Sequence, residues 1–199
     1  MQYETPLKKI RLTILFIIFL YVSAAQNSSW QKGLSGSFKM GAGRVTRNFG
    51  EGENASTRFC MHLSGGWFII KPLQIGITAN GWTYEPADYS YPYYSIGEFI
   101  STTYLHLQCY PLPGSRFYIK AGYGLCSYTS EDDFYGQGNG TAWLVSAGYE
   151  LPFKKPGKVF WGFEIAYDNG TINNNTYIED DHRKRSFSAV DFTLFVSVD

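Results

Sequence analysis

The pattern of apolar and polar residues in the segment KVFWGFEIAYD, residues 158–168, has a period of two. Apolar or aromatic side chains take every second position from Val159 to Tyr167, whereas Gly162, Glu164 and Asp168 fall between them. Successive side chains on a β-strand point to opposite faces, so this spacing predicts a strand with one apolar face.

Seven further segments show the same alternation, and together with 158–168 they predict eight strands. They are 34–44, 58–69, 73–82, 96–109, 117–126, 143–153 and 190–198. No helical stretch separates one segment from the next. Neighbouring strands are therefore expected to be antiparallel.

The connections between these strands alternate between two kinds. Three short connections contain proline, which presets a turn: KPL, PLPGSR and KKPGK. The other four are longer and polar: NFGEGENAS, YEPADYSYPYY, SEDDFYGQGNG and NGTINNNTYIEDDHRKR. Tight turns on one rim and long loops on the other are typical of outer-membrane barrels. The sequence predicts an all-β, eight-stranded, antiparallel up-and-down transmembrane β-barrel with short periplasmic turns and long extracellular loops.

The two faces of the strands differ in charge. The polar face carries small residues and seven charged ones: Lys39, Arg58, Glu98, Lys120, Glu150, Glu164 and Asp191. A soluble barrel would bury the apolar face instead, but the interior of eight strands is only wide enough for side chains to fill. The apolar face has too many large rings for that space. We therefore expect the charged residues inside, as a mutually paired polar plug, and the apolar face in lipid.

Aromatic residues on the apolar face are expected to form girdles at the two membrane interfaces. Near the turn rim these are Trp67, Phe117, Phe153 and Trp161, and near the loop rim they are Trp143 and Tyr167.

The first 25 residues have the pattern of a secretory signal peptide. Three basic residues precede the apolar run Leu12–Val22, and VSAAQ follows it. Eleven residues fit a signal peptide and are too few for a spanning helix. The expected organisation is a signal peptide at 1–25 and one barrel domain at 26–199.

Charge and cysteine content exclude several function classes. Removal of residues 1–25 leaves 14 basic and 16 acidic residues, a formal charge of −2, which gives no indication of nucleic-acid binding. The three cysteines, Cys60, Cys109 and Cys126, are an odd number without CxxC spacing. Neither a disulfide framework nor a zinc site is predicted, and no cofactor is expected.

Two motifs have alternative interpretations. His62 and Ser64 lie two residues apart on one face, a spacing also found in barrel lipid A deacylases, but they share the polar face with Arg58 and the sequence identifies no carboxylate to orient the imidazole. A catalytic site is therefore not predicted. The charged segment IEDDHRKR, 178–185, is either a solvated loop or a site for divalent cations or lipopolysaccharide phosphates.

In architecture, residues 30–199 resemble the small eight-stranded outer-membrane barrels of Gram-negative bacteria, such as the membrane domain of outer membrane protein A. The cleavage site, with a Gln directly after the small residues, resembles that of secreted proteins of the Bacteroidota. The resemblance implies a monomer in the outer membrane that contacts lipid, lipopolysaccharide and the outer-membrane assembly machinery, and an extracellular ligand would bind its loops.

The expected function is a non-enzymatic structural or surface-interaction role. A narrow passive pore and a lipid A-modifying enzyme are the alternatives. The interior charges serve either as a structural plug or as an ion path.

Overall fold

The computed structural model describes residues 33–48, 53–70, 72–82, 98–112, 114–130, 137–152, 159–174 and 185–198. These residues form eight β-strands: β1 (Leu34–Asn48), β2 (Glu53–Ile70), β3 (Leu73–Trp82), β4 (Glu98–Cys109), β5 (Phe117–Ser130), β6 (Gln137–Pro152), β7 (Val159–Asn174) and β8 (Arg185–Val198). Within this part of the chain, no helix is long and apolar enough to cross a membrane.

The eight strands form a closed antiparallel barrel in sequence order. Each strand pairs with the next one along the chain, and β8 closes the barrel by pairing with β1, where Gly43 lies opposite Asp191. Closure pairs the edges that an open sheet would leave exposed. The predicted fold class, an all-β eight-stranded antiparallel barrel, is confirmed.

The outer surface of the barrel is apolar around its whole circumference. Every strand exposes large hydrophobic side chains, for example Phe38, Met61, Ile77, Leu105, Leu125, Val145, Ile165 and Phe192. A soluble protein rarely exposes so large a continuous apolar surface. We call this surface the belt, and it has the character that lipid requires of a spanning barrel.

Several strands are longer at the loop rim than the sequence predicts. β1 continues to Asn48, β5 to Ser130 and β7 to Asn174 instead of ending at 44, 126 and 168. The Gly, Asn, Thr and Ser residues in these stretches carry little apolar alternation, yet their backbones continue the ladder, as in Asn48 opposite Glu53. Above the belt a strand needs no apolar face. The apolar alternation therefore ends before the backbone pairing of the strands ends.

Because of this extension, the predicted division into short and long connections is not confirmed. Residues 49–52 separate β1 from β2, and residues 131–136 separate β5 from β6. Neither of these two connections is longer than those at 110–116 and 153–158 on the opposite rim. The spans 83–97 and 175–184 remain the two longest. The outward-facing residues of the extensions include these polar, exposed ones: Asn48, Thr57, Asn139, Thr141, Thr171 and Asn173.

Candidate functional site

A three-residue ion network crosses the lumen in the half of the barrel nearer the turn rim. Lys39 on β1 places its Nζ 2.6 Å from Oε2 of Glu164 on β7, and Lys120 on β5 places its Nζ 3.2 Å from Oε1. Tyr118 donates its hydroxyl to Oε2 of Glu164 at 2.6 Å. All four side chains are at most 2% exposed. One carboxylate therefore joins three strands across the lumen.

Burial makes this network sensitive to the loss of a single member. Transfer of a charge from water costs several kcal/mol, and only a well-placed partner offsets that cost. Lys39 also lies 5.1 Å from the centroid of the Phe195 ring, within the range of a cation–π contact. The network therefore positions its members through both charge and ring contacts.

An aromatic cluster lies between the ion network and the turn rim. Phe68, Tyr110, Tyr118 and Phe195 follow one another with ring centroids 5.8–6.1 Å apart. Tyr110 accepts a hydrogen bond from Gln108 and donates one to Glu150, both at 2.8 Å. The cluster is thus anchored to the wall by hydrogen bonds as well as by packing.

A small polar cavity adjoins this cluster. Its lining includes Ser35, Gln74, His106 and Glu150, and the space open to the centre of a water molecule is about 20 Å³. A cavity needs roughly 10–15 Å³ of such space to hold one water molecule. The cavity can therefore hold water but not a solute of metabolite size.

A second polar group fills the lumen toward the loop rim. Trp82 donates its indole N–H to both carboxylate oxygens of Asp191, at 2.9 and 3.1 Å. Nε2 of His62 lies 3.3 Å from Oδ2 of the same carboxylate. Nearby, Asp168 accepts hydrogen bonds from Tyr104 at 2.7 Å and from Asn80 at 3.0 Å.

Within the described residues, one group of His, Cys and carboxylate side chains has donor atoms close enough to share a metal ion. It consists of Cys60, His62 and Asp191, all of them buried. The sequence gives no indication of it, because the three residues lie on β2 and β8 with no motif spacing.

The structure buries six of the seven residues expected in the interior polar network: Lys39, Arg58, Lys120, Glu150, Glu164 and Asp191. It brings Lys39, Lys120 and Glu164 together, whereas Asp191 belongs to the group near the loop rim. The side chain of Glu98 lies outside the described residues.

The expected girdle residues lie on the outer surface where they are described. Trp67, Trp143, Trp161 and Tyr167 are exposed there, and Phe117 is half-buried. Trp143 and Tyr167 contact each other with ring centroids 5.3 Å apart. Phe153, the signal peptide at 1–25 and residues 178–184 lie outside the described part of the chain.

Sequence reasoning missed two charged members of the interior and most of its rings. Asp168 was on the correct face but was not included, and Arg185, assigned to the charged loop segment, is a buried residue of β8. The described lumen therefore buries four basic and four acidic residues, since Lys39, Arg58, Lys120 and Arg185 match Glu150, Glu164, Asp168 and Asp191.

Large rings also occupy the lumen, at inward-facing positions that the sequence analysis did not single out. Trp82, Tyr104, Tyr118, Tyr128 and Phe187 are all fully buried there. Inward-facing glycines leave room for them: a Cβ at Gly148 would collide with the Tyr118 ring, and one at Gly170 with Phe187. Large residues on one strand are thus matched by glycine on another, and this pairing cannot be seen in a single strand.

His62 and Ser64 do share the inner face, but they have separate partners. His62 approaches the Asp191 carboxylate, which supplies the acidic neighbour that could not be identified from sequence. The Ser64 hydroxyl is 2.9 Å from that of Thr78. The structure therefore pairs the imidazole with a carboxylate and the serine with a threonine.

No protein-family model matches the chain, and no curated protein matches it. Among solved structures, it is similar to Neisserial surface protein A, with a TM-score of 0.51 and 15% identity over 84% of this chain and 99% of that one. The attachment invasion locus protein of Yersinia pestis gives a TM-score of 0.46 and 10% identity over 84% and 99% of the two chains. The outer membrane protein OprG from Pseudomonas aeruginosa gives a TM-score of 0.43 and 12% identity over 84% of this chain and 96% of that one.

The likeness to Neisserial surface protein A supports the fold alone. It fits an outer-membrane barrel family in this coarse sense. A specific relation to outer membrane protein A, and a source in the Bacteroidota, stay predictions.

Proposed function

We propose that the chain is a monomeric barrel of a Gram-negative outer membrane, with a non-enzymatic structural or surface-interaction role. The observation that carries this proposal is the Lys39–Glu164–Lys120 network across the lumen. Among the described residues, paired charges and rings fill the lumen and the cavity beside them has room only for water, which favours a scaffold over an open channel.

The outer surface supports the proposed location. A belt of apolar side chains surrounds the barrel, and aromatic residues such as Trp67 and Trp143 are exposed within it. Lipid accommodates such a surface, whereas water does not. The predicted signal peptide would direct the chain out of the cytoplasm, and assembly machinery would then insert the barrel.

The loop rim is the surface that we propose for interaction. The polar extensions of β1, β2, β6 and β7 rise beyond the belt and flank the connections on the loop rim. Rigid scaffolds that present connecting segments are common binding platforms. Arg183 and Lys184, in the span between β7 and β8, suit the phosphates of lipopolysaccharide.

Lipid A-modifying chemistry through His62 and Ser64 is not part of this proposal. His62 is buried in the lumen, and Ser64 hydrogen-bonds to the buried Thr78. An acyl chain of lipid A lies outside the barrel, on the other side of the wall.

A narrow passive pore is the second candidate, and the polar cavity beside Glu150 favours it. Lys39 lines this cavity and also belongs to the ion network, so the cavity reaches the centre of the network. The two candidates differ in what crosses the barrel.

Conductance in planar bilayers distinguishes them. The purified folded chain is expected to show no large, stable single-channel steps, and lipopolysaccharide incubated with it is expected to keep all its acyl chains. A matched preparation of a known open porin provides the positive control. Stable steps would favour the pore, and acyl loss abolished by Ser64→Ala would favour the enzyme.

A further inference from the structure

Three side chains with metal-binding atoms meet in the lumen on the loop-rim side of the ion network. Cys60 and His62 lie two residues apart on β2 and therefore face the same side, and Asp191 reaches them from β8. The donor atoms of the three all lie within 4.8 Å of one another. No other group of three such residues occurs within the described part of the chain.

The strand between them makes this meeting possible. β1 separates β2 from β8, and its Gly41 pairs with Cys60 on one side while Gly43 pairs with Asp191 on the other. Neither glycine puts a side chain between the two neighbouring strands. A Cβ at Gly43 would collide with the Asp191 carboxylate. The wall is therefore bare where the three groups converge.

The imidazole of His62 gives a second, independent indication of a ligand. It is only 1% exposed, its Nδ1 has no partner among the described residues, and its Nε2 makes no hydrogen bond although it lies 3.3 Å from Oδ2 of Asp191. Buried polar atoms are almost always satisfied, so such a side chain calls for an explanation such as an ion. Asp191, in contrast, is held in place by the Trp82 indole N–H, as the outer contacts of a metal ligand commonly are.

We propose that Cys60, His62 and Asp191 form a binding site for a zinc-class divalent cation. Zinc takes sulfur at about 2.3 Å and nitrogen or oxygen at about 2.0–2.2 Å, so its tetrahedral ligands lie roughly 3.3–3.7 Å apart. Nε2 of His62 and Oδ2 of Asp191 are already 3.3 Å apart. The Cys60 thiol has to move closer by no more than about 1 Å.

The charge balance also suits such an ion. The thiolate of Cys60 and the carboxylate of Asp191 together match the two positive charges of the cation, and the thiol proton is released when the ion binds. Three protein ligands leave a fourth position for water. Magnesium and calcium prefer sites made wholly of oxygen, so this donor set disfavours them.

A Cys–His–Asp group can also act as a nucleophilic site, but burial argues against that function here. Cys60 is fully buried, and large rings of Trp82 and Phe187 pack beside the group. Full burial leaves the sulfur without the open approach that a substrate carbonyl needs. The cluster lies near Trp82, the last residue of β3, which with 10 residues is the shortest of the eight described strands.

Zinc binding by the tag-free chain tests the proposal. The barrel is folded in detergent, treated with reductant and chelator, and dialysed against zinc with excess calcium, which occupies carboxylate sites outside the lumen. One zinc per chain is expected. Cobalt in place of zinc is expected to give a thiolate-to-metal charge-transfer band, which needs no variant.

Variants locate the site. Cys60→Ser and Asp191→Asn are each expected to weaken zinc binding about tenfold or more, since loss of even an outer contact of a metal site typically costs 10–100-fold. Cys126→Ser and His106→Gln are the matched controls, because both residues are buried in the lumen outside the cluster. Heat-dependent gel mobility verifies that each variant is folded.

Three results would overturn the proposal. They are the absence of stoichiometric zinc, the absence of the cobalt charge-transfer band, and an equal loss of binding in Cys126→Ser. Zinc that excess calcium displaces would indicate oxygen sites elsewhere on the chain. None of these results bears on conductance, so the proposed function is tested separately.

Discussion

A single carboxylate, Glu164, holds the centre of the lumen together. It accepts Lys39 at one oxygen and Lys120 at the other, and the Tyr118 hydroxyl adds a third contact. Each ammonium is buried, so each depends on this partner to offset its lost hydration. Loss of Glu164 therefore leaves two buried ammonium groups without a counter-charge, whereas loss of either lysine leaves the other ion pair in place.

Glu164→Gln is expected to lower the free energy of unfolding by about 3–5 kcal/mol, the range found when one partner of a buried ion pair is removed. The shape is kept, but both lysines lose their counter-charge. Urea unfolding in detergent micelles, followed by tryptophan fluorescence, measures the change.

Glu53→Gln is the control for this substitution, because Glu53 is exposed at the rim of β2. It is expected to leave stability nearly unchanged. Equal effects of the two substitutions would contradict the central position of Glu164.

At the scale of the element, β6 shows how one strand serves lipid, water and lumen. Val145 is exposed in the belt. Thr141 is the second outward-facing residue beyond Val145 toward the loop rim, and it lies above the belt. Ser146 points inward and lies opposite Lys120 in the ladder with β5. Position along the strand and parity together decide the surroundings of each residue.

Val145→Arg is expected to destabilise the barrel by roughly 2–4 kcal/mol, and Thr141→Arg by about 0–1 kcal/mol, because an arginine is costly at the bilayer midplane and tolerated near the interface. Unfolding from lipid vesicles measures both substitutions on the same strand. If the two variants were equally stable, the belt would not be the lipid surface.

At the scale of the whole molecule, pairing of β1 with β8 turns a series of hairpins into one cooperative unit. The first and last strands pair over 13 positions, from Gly36 opposite Val198 to Asn48 opposite Ser186. Pairing between the strands sets their register, so the segments that connect the strands are not needed to fix it.

Replacement of residues 175–184 by a Gly-Ser linker of equal length is therefore expected to leave the barrel intact. The variant should fractionate with the outer membrane and keep its heat-dependent gel mobility, while its binding to purified lipopolysaccharide decreases because Arg183 and Lys184 are lost. An equivalent replacement of 153–158, on the opposite rim, is the control.

Recovery of either protein as a soluble periplasmic monomer would contradict the proposed location. Unchanged lipopolysaccharide binding after replacement of 175–184 would place the interaction elsewhere on the surface.

The period-two pattern by itself determined the eight strands, their antiparallel order and the face that each residue occupies. These properties are local, since parity along a strand assigns Lys39, Glu164 and Asp191 to one face before any partner is known. The same pattern failed at the loop rim, because strands such as β7 continue above the belt without an apolar face. It could not give the ends of those strands.

Only the tertiary structure decided which inward-facing residues meet. Contacts across the lumen depend on strand register and closure, and they join residues as distant in sequence as Lys39 and Glu164 or His62 and Asp191. The space for Trp82 and Tyr118 depends likewise on glycines of other strands. A residue's face is a property of its own strand, whereas its neighbour in the lumen is a property of the closed barrel.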